Sequence, residues 1–323
     1  LQESDTLPHF SLLHAKAFIQ PVMVSAVDQI LTSGFNSKLW AIKEYALINS
    51  AVIFDEIQAY DTFTLALITQ TIRKIKTLGG QVMLMSATFP KFLRNHFQDL
   101  LKIDKPIVAE ELMDRKSNQW RYIDKELEDI REEIQKYLDQ GKKVALVVND
   151  VETAKKEYNY WHEKYKNKTL CLHSEFAMKD RIEKEDKLLN GSEDYQLVIA
   201  TQVLEVSLDV SFEVMFSECA PIDSLVQRAG RCNRWMLYSD SEFIVFNPSK
   251  ISTEYVYKKS RKILERTKEI ILLNQRKLSE REINAMIEKV YDGFDIYDGN
   301  YEEGIKLYQS IADELFVFDL PID

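Results

Sequence analysis

Cysteine is scarce in this chain of 323 residues: only three copies occur, and no two of them form a CxxC pair. This pattern excludes both a disulfide framework and a four-ligand zinc site. Long hydrophobic runs are also absent, since a run such as 144–148 is far shorter than the ~20 apolar residues that cross a bilayer. The N-terminus has no basic stretch followed by an apolar one. We therefore expect a protein of the reducing cytoplasm that is neither secreted nor anchored to a membrane.

Excess positive charge is missing as well, because the formal net charge is −10. The acidic residues are concentrated at one end: residues 292–323 contain nine Asp or Glu and a single Lys. The rest of the chain is therefore close to neutral, at −2. A locally basic groove for a polyanion is compatible with this distribution, so the overall charge does not exclude nucleic acid as a partner.

Short β-rich runs alternate with segments of helical periodicity, which is typical of a parallel sheet with crossover helices. Residues 50–54 read as a buried strand, and residues 81–85 read as the next strand. Between them, Asp61 can cap a helix that ends at Gly79 and Gly80. The sequence therefore predicts one βαβ unit in this region.

A second α/β series follows farther along the chain. We predict a helix at 126–138 and strands at 144–148, 197–200, 214–216 and 243–246. The irregular, mixed-charge segment 105–124 reads as the connection between two domains. After Pro248 the pattern becomes mostly helical, with long amphipathic stretches at 255–290 before the acidic tail.

Two adjacent carboxylates, Asp55 and Glu56, directly follow the first predicted strand. Ligands of open α/β sheets bind at the carboxyl ends of strands. One carboxylate there can hold Mg²⁺ while its neighbour orients or deprotonates the attacking water of phosphoryl transfer. Ser86 and Thr88 end the next strand and could hydrogen-bond the acidic pair. A helix cap or solvated acidic turn, followed by an ordinary turn, is the alternative reading.

Three arginines at 228, 231 and 234 follow Gln227 at a spacing of three residues. This spacing predicts that they lie near one face of a helix. Guanidinium groups suit phosphate oxygens, and an arginine at the transferring phosphoryl group is worth roughly 10³–10⁵ in rate. A surface cluster that pairs with nearby acids is the alternative.

Taken together, these segments resemble a known family. Asp55–Gln58, Ser86–Thr88, Ala200–Asp209 and Gln227–Arg234 resemble motifs II, III, V and VI of a superfamily 2 helicase. More narrowly, the runs 54–61, 200–209 and 220–234 resemble the helicase-nuclease of type I CRISPR interference. The resemblance covers roughly residues 10–260, and motifs V and VI together make it specific.

The resemblance implies an α/β fold of two RecA-like lobes with parallel sheets. We expect an incomplete first lobe at 1–112, a second lobe at 113–248, and a helical linker with an acidic C-terminal extension at 249–323. It also implies an ATP-dependent helicase or translocase that moves 3′ to 5′ on single-stranded DNA, with ATP and Mg²⁺ as cofactors. Recruitment by a crRNA-guided surveillance complex is implied by the family alone.

The resemblance further implies roles for individual residues. Asp55 would hold the Mg²⁺ of ATP and Glu56 would act as the catalytic base. Gln227 would contact the γ-phosphate region, and Arg231 and Arg234 would act as arginine fingers. The remaining residues of the expected nucleotide site are Ser86, Thr88, Asp209 and Arg228. The expected DNA-contacting residues are Ser25, Asn149, His173, Ser174 and Thr201.

One expected element is missing. No G-x-x-x-x-G-K-[ST] run occurs, so the loop that would cradle the phosphates of ATP is absent. No His-Asp dipeptide of a nuclease domain occurs either. We therefore expect that the sequence begins part-way through the first lobe. Two alternatives stay open: an unrelated superfamily 2 DNA or RNA helicase, and a catalytically silent docking fragment.

Overall fold

The computed structural model describes residues 18–32, 34, 39–190, 195–205 and 208–313. It divides the chain into two compact units. The first unit combines Leu1–Pro106 with Gly293–Asp323, and the second unit is Ile107–Asp292. These divisions differ from the predicted boundaries at 112 and 248, because the C-terminal segment is shared between the two units.

The first unit is built around one βαβ arrangement. Its elements are α1 (Val27–Leu31), α2 (Trp40–Leu47), β1 (Ala51–Phe54), α3 (Thr62–Thr77), β2 (Gln81–Leu84), α4 (Lys91–Leu101) and α11 (Gly299–Asp313). Strands β1 and β2 pair in parallel, as predicted. Asp61 caps α3 by accepting a hydrogen bond from the Thr64 amide at 2.7 Å. The predicted βαβ unit and its cap are confirmed.

One face of this two-stranded sheet is open to solvent. Val52 and Phe54 pack with α3, and Phe54 is buried. On the opposite face Ile53 and Met83 are partners in the strand register, and they are 60% and 50% exposed. The expectation of a fully buried first strand is wrong for this reason: among the described residues, helices cover one face of the sheet only.

The C-terminal helix α11 returns to the first unit and packs along α3. Tyr301 and Tyr308 of α11 are buried in the same apolar cluster as Ile68 and Ile72 of α3. Gly304 marks a close approach, because a Cβ atom there would lie 2.8 Å from both the Phe63 carbonyl oxygen and the Ala66 Cβ. The acidic tail predicted as a separate extension therefore contributes a helix to the core of the first unit.

The second unit is a seven-stranded sheet with helices on both faces. Its elements in chain order are β3 (Lys116–Ile123), α5 (Arg131–Asp139), β4 (Val144–Val147), α6 (Val151–Tyr165), β5 (Thr169–Leu172), α7 (Met178–Asn190), β6 (Leu197–Ala200), β7 (Val214–Glu218), α8 (Ile222–Ala229), β8 (Glu242–Phe246), α9 (Arg261–Leu272), β9 (Lys277–Ser279) and α10 (Glu280–Val290). The strand order is β5-β6-β4-β7-β8-β3-β9. All pairings are parallel except β3 with β9. The four strands predicted for this region are confirmed.

Strand β3 corrects the prediction that 105–124 is a connection throughout. Its side chains alternate, so that Asn118, Trp120 and Tyr122 are buried while their neighbours are at least partly exposed. The polar outward-facing positions hide the strand in the sequence. Strand β9 interrupts the stretch 255–290, which we expected to be mostly helical. None of the described helices is long and apolar enough to cross a membrane.

Candidate functional site

The first cluster of predicted site residues lies at the carboxyl end of β1. Asp55 is exposed and Glu56 is half-buried. Glu56 has a positive φ of 52°, which turns the chain sharply after the strand. Its amide donates to Asp55 Oδ1 at 2.9 Å. The turn leaves the Asp55 side chain in solvent and directs the Glu56 carboxylate towards Gln58.

Gln58 links this acidic pair to the end of β2. Its Nε2 donates to Glu56 Oε2 at 2.5 Å. The Ser86 hydroxyl lies within hydrogen-bond distance of Gln58 Oε1 and of the Thr88 carbonyl, and its single proton serves one of them at a time. The expected contact between the two strand ends therefore runs through Gln58, a residue that was not among the predicted site residues. Thr88 is buried, and its Oγ1 has no partner among the described residues.

The second cluster lies at the carboxyl edge of the seven-stranded sheet. Strand β4 has β6 on one side and β7 on the other, so the chain reverses its direction of winding there. Such a switch point is where open α/β sheets bind ligands. Asn149, Thr201 and His173 follow the adjacent strands β4, β6 and β5, and the fold brings them to this one edge.

Arg228 is fully buried beneath this edge. Its Nε donates to Glu205 Oε1 at 2.8 Å, and its Nη2 donates to Asn149 Oδ1 at 2.9 Å. Its Nη1 donates to Ser217 Oγ at 2.9 Å and to the Glu218 carbonyl at 3.1 Å. The guanidinium is thus occupied inside the lobe and is not available to a phosphate, which corrects the nucleotide-binding role expected for Arg228.

The same hydrogen-bond network shifts the pKa values of Glu205 and Arg228. Burial raises the pKa of Glu205, and Arg228 opposes that shift. Burial tends to lower the pKa of Arg228, but its carboxylate neighbours outweigh this effect and raise it. A buried guanidinium needs a hydrogen-bonded carboxylate to offset its desolvation. Glu205 fills that need, although in the sequence it stands out only as part of the run 200–209.

Arg231 and Arg234 lie beyond the end of α8, which closes at Ala229. The expected single helical face is therefore wrong, because the three arginines do not share one helix. Arg231 Nη2 donates to the Glu205 carbonyl at 3.0 Å. Arg234 Nε pairs with Asp209 Oδ1 at 2.7 Å, and both side chains are at least one-third exposed. Gln227 lies on α8 beside Arg228 and is half-buried.

The expected DNA-contacting residues divide into buried and exposed groups. Asn149 is 3% exposed, and its Nδ2 donates to the Cys219 carbonyl at 2.9 Å while its Oδ1 accepts from Arg228. The amide is thus used inside the lobe, which corrects its expected contact with DNA. Thr201 is also buried. Ser25, before α1, and Ser174, after β5, are exposed.

His173 is buried against an aromatic ring. It stacks on Phe176 at a centroid distance of 4.0 Å, and the ring planes differ by 13°. Burial and nearby Lys155 lower the pKa of His173. A buried imidazole with a lowered pKa carries no positive charge for a phosphate at neutral pH. Its expected proximity to DNA stays a prediction, with Ser174 as the accessible neighbour.

The two clusters lie in different units. The resemblance to the helicase family also implies that Asp55 and Glu56 face Arg231 and Arg234 across one gap sized for a triphosphate, and this stays a prediction.

Comparison with known proteins gives a consistent result. The family described as CRISPR-associated nuclease/helicase Cas3, C-terminal, matches residues 140–236. The chain is 29% identical over 304 residues to a putative CRISPR-associated nuclease/helicase Cas3 of Methanocaldococcus jannaschii, covering 86% of the chain and 40% of that relative. It is 28% identical over 322 residues to the Cas3 of Methanothermobacter thermautotrophicus, covering 90% of the chain and 38% of the relative.

Among solved structures, the crystal structure of T. fusca Cas3 has a TM-score of 0.73 at 22% identity, over 93% of this chain and 42% of that chain. This likeness confirms the expected fold of RecA-like lobes. The chain spans about 40% of the length of these curated relatives. In sequence and fold, most of the chain is therefore similar to CRISPR-associated nuclease/helicases of the Cas3 type, and the family model matches its residues 140–236.

Proposed function

We propose that this chain supplies the motor part of an ATP-dependent translocase that moves on single-stranded DNA during CRISPR interference. Similar solved structures include T. fusca Cas3 with ATP, ADP or AMPPNP, and another similar chain comes from a CRISPR RNA-guided surveillance complex before nicking. By analogy, the proposed ligands are ATP and single-stranded DNA, and the proposed partner is a crRNA-guided complex. A cytoplasmic location is part of the same proposal.

In the first unit we propose that Asp55 binds Mg²⁺ and that Glu56 activates the attacking water. An exposed carboxylate at a strand end fits Mg²⁺, which proteins bind through one or two carboxylates together with substrate phosphates. When bound, the ion would neutralise charge that develops on the phosphates. Glu56, oriented by Gln58, would accept a proton from the attacking water. Ser86 would hold Gln58 and so the orientation of that carboxylate.

In the second unit we propose that Arg231 and Arg234 contact the phosphoryl group during its transfer. The observation that carries the proposal is the separation of the three arginines. Arg228 is locked in the interior, whereas Arg231 and Arg234 lie on the loop after α8, where Arg231 is partly exposed and Arg234 is exposed. Arg234 contacts a largely exposed Asp209, an interaction that a phosphate can replace at little cost.

The DNA contacts would be mostly to the backbone and insensitive to sequence. Ser25 and Ser174 are the accessible members of the expected DNA-contacting set. Binding carried by backbone contacts weakens steeply as salt concentration rises. Asn149 and Thr201 would then support the DNA-facing edge from inside.

The experiment is an Arg231→Ala substitution in the natural full-length protein. We expect single-stranded DNA-stimulated ATP hydrolysis to fall by roughly 10³-fold or more, as for loss of an arginine finger. The melting temperature should change little, because Arg231 is only partly buried. Arg261→Ala is the matched control, since Arg261 is exposed and pairs with Glu265 on its own helix. Its activity should equal that of the wild type.

Near-normal hydrolysis by the Arg231→Ala protein would overturn the assignment. Comparing stimulation by DNA with stimulation by RNA tests the rival reading of an unrelated helicase, because greater stimulation by RNA would contradict a DNA translocase. A wild-type full-length protein without DNA-stimulated hydrolysis would contradict the motor proposal itself.

A further inference from the structure

We propose that Asn118 is a positioning residue for the two catalytic arginines, an inference that rests on the proposed function. Asn118 lies on β3, in the segment whose sequence reads as a domain connection. It is 1% exposed. Its role follows from what its amide contacts.

The Asn118 side chain closes the end of α8. Its Nδ2 donates to the Ala229 carbonyl and to the Cys232 carbonyl, both at 3.1 Å. The last carbonyls of a helix have no partner within the helix. One amide group therefore joins the final turn of α8 to the loop that carries Arg231 and Arg234.

Asn233 makes the complementary contacts from the loop. Its φ of 50° lies in the left-handed region, which asparagine tolerates better than most residues. Its Nδ2 donates to the Ser117 carbonyl and to the Tyr238 carbonyl, both at 2.7 Å. Its own amide donates to the Phe212 carbonyl at 2.7 Å. Strand β3 and the loop are thus joined by hydrogen bonds from two buried asparagines, Asn118 on the strand and Asn233 on the loop.

The two loop residues that β3 contacts lie between the two arginines in the chain. Arg231 directly precedes Cys232, whose carbonyl Asn118 binds, and Arg234 directly follows Asn233. A shift of the loop backbone therefore moves both guanidinium groups. A catalytic group displaced by about 1 Å can lose 10²-fold in rate. Asn118 acts on the reaction through this backbone and does not touch the nucleotide.

The test is Asn118→Asp in the natural full-length protein. The change keeps the side-chain shape but removes both N–H donors and turns an ionised oxygen towards two carbonyls. We expect kcat for DNA-stimulated ATP hydrolysis to fall by about 10- to 100-fold. The KM for ATP should change by less than about threefold, because the carboxylates of the first unit are untouched. Single-stranded DNA affinity should be unchanged.

The matched control is Gln119→Glu. It makes the same amide-to-acid change one residue along β3, where the side chain lies on the opposite face and is partly exposed. We expect its kcat to equal the wild-type value. A fall in both variants would trace the effect to negative charge on β3 and would overturn the proposal.

A pH profile separates positioning from simple instability. A protonated carboxyl regains one O–H donor, and burial raises the pKa of an introduced acid. The ratio of Asn118→Asp to wild-type kcat should therefore rise as the pH is lowered from 8 to 6. A ratio that is flat with pH and parallels a loss of folded protein would contradict the positioning role. So would wild-type kcat in a well-folded variant, whereas a wild-type protein without hydrolysis would instead contradict the proposed function.

Discussion

At the scale of single residues, three arginines with the same spacing have three different environments. Arg228 is buried with Glu205, Arg231 contacts a backbone carbonyl, and Arg234 pairs with an exposed carboxylate. The free energy of desolvation decides the difference, because a fully buried guanidinium must keep its partners to remain charged. The exposed pair of Arg234 with Asp209 contributes little to stability. Arg234 is therefore available to bind a phosphate.

His96 is a buried titratable group in the first unit, with a hydrogen-bond partner at each ring nitrogen. The Thr69 hydroxyl donates to the Leu65 carbonyl at 2.8 Å, so it accepts from His96 Nε2 at 2.9 Å. His96 Nδ1 then accepts from the Tyr297 hydroxyl at 2.9 Å. Both contacts suit a neutral imidazole. Burial and Arg73 lower the pKa of His96, while Asp99 and Asp295 oppose the shift.

A pH dependence follows from this lowered pKa. The unfolded chain binds the proton more readily, so the stability from His96 is full above about pH 6.5 and is lost as the pH falls through the folded pKa. We expect the free energy of unfolding of the first unit to fall with a slope of at most ~1.4 kcal/mol per pH unit. His96→Phe should remove that part of the slope. Urea unfolding at several pH values between 5 and 8 checks it, and identical slopes in both proteins would contradict the assignment.

At the scale of elements, the packing of α3 against α11 depends on a residue without a side chain. Gly304 lets the two helices approach until the Phe63 carbonyl is 2.8 Å from the position of a Cβ atom. Backbone atoms cannot move aside as a flexible side chain can. Contact between these helices is therefore specified by shape as well as by apolar area.

Gly304→Ala should destabilise the first unit. Alanine gains about 1 kcal/mol in helix propensity, but overpacking against a fixed backbone costs about 1–3 kcal/mol. We expect a net loss of up to about 2 kcal/mol, measured by urea denaturation. Gly299→Ala is the control, because no atom lies within 4 Å of its Cβ position at the start of the same helix. Equal stabilities of the two variants would show that the close approach is not rigid.

At the scale of the whole molecule, the chain leaves the first unit at Pro106 and re-enters it at Gly293. The returning segment brings Ile296, Tyr301 and Tyr308 into the apolar core of the first unit. The second unit has its own two apolar clusters, one on each face of its sheet. Each unit therefore has a separate core, and only the first depends on the C-terminus.

Deleting residues 293–323 should destabilise the first unit selectively. Hydrogen exchange should lose protection in β1 and α3 while β4 and β6 keep theirs, since local stability follows local burial. Fluorescence of the buried Trp120 and Trp161 should report an unchanged unfolding midpoint for the second unit. A shorter truncation after Asp313 retains α11 and serves as the control. Loss of protection in β4 would contradict independent cores.

Much of the fold was predictable because its signals are local. The pattern of apolar residues predicted β1, α3, β4 and β6, and Asp61 predicted the start of α3. The motifs around Asp55 and Arg231 indicated the resemblance to CRISPR-associated helicases, since their residue types follow one another closely in the chain. Strand β3 was missed because its outward-facing polar residues interrupt the apolar pattern.

The sequence by itself therefore determined the alternation of strands and helices around the predicted strands, the resemblance to a helicase family, and which residues carry chemical groups suited to phosphate. Only the tertiary structure decided that Arg228 and Asn149 are buried, that Gln58 joins two strand ends, and that Asn118 closes α8. The physical reason is that burial and hydrogen bonding depend on partners distant in sequence: Asn118 binds the carbonyl of Ala229, 111 residues away. Local patterns report what a residue can do, and the surrounding fold selects which of those contacts it makes.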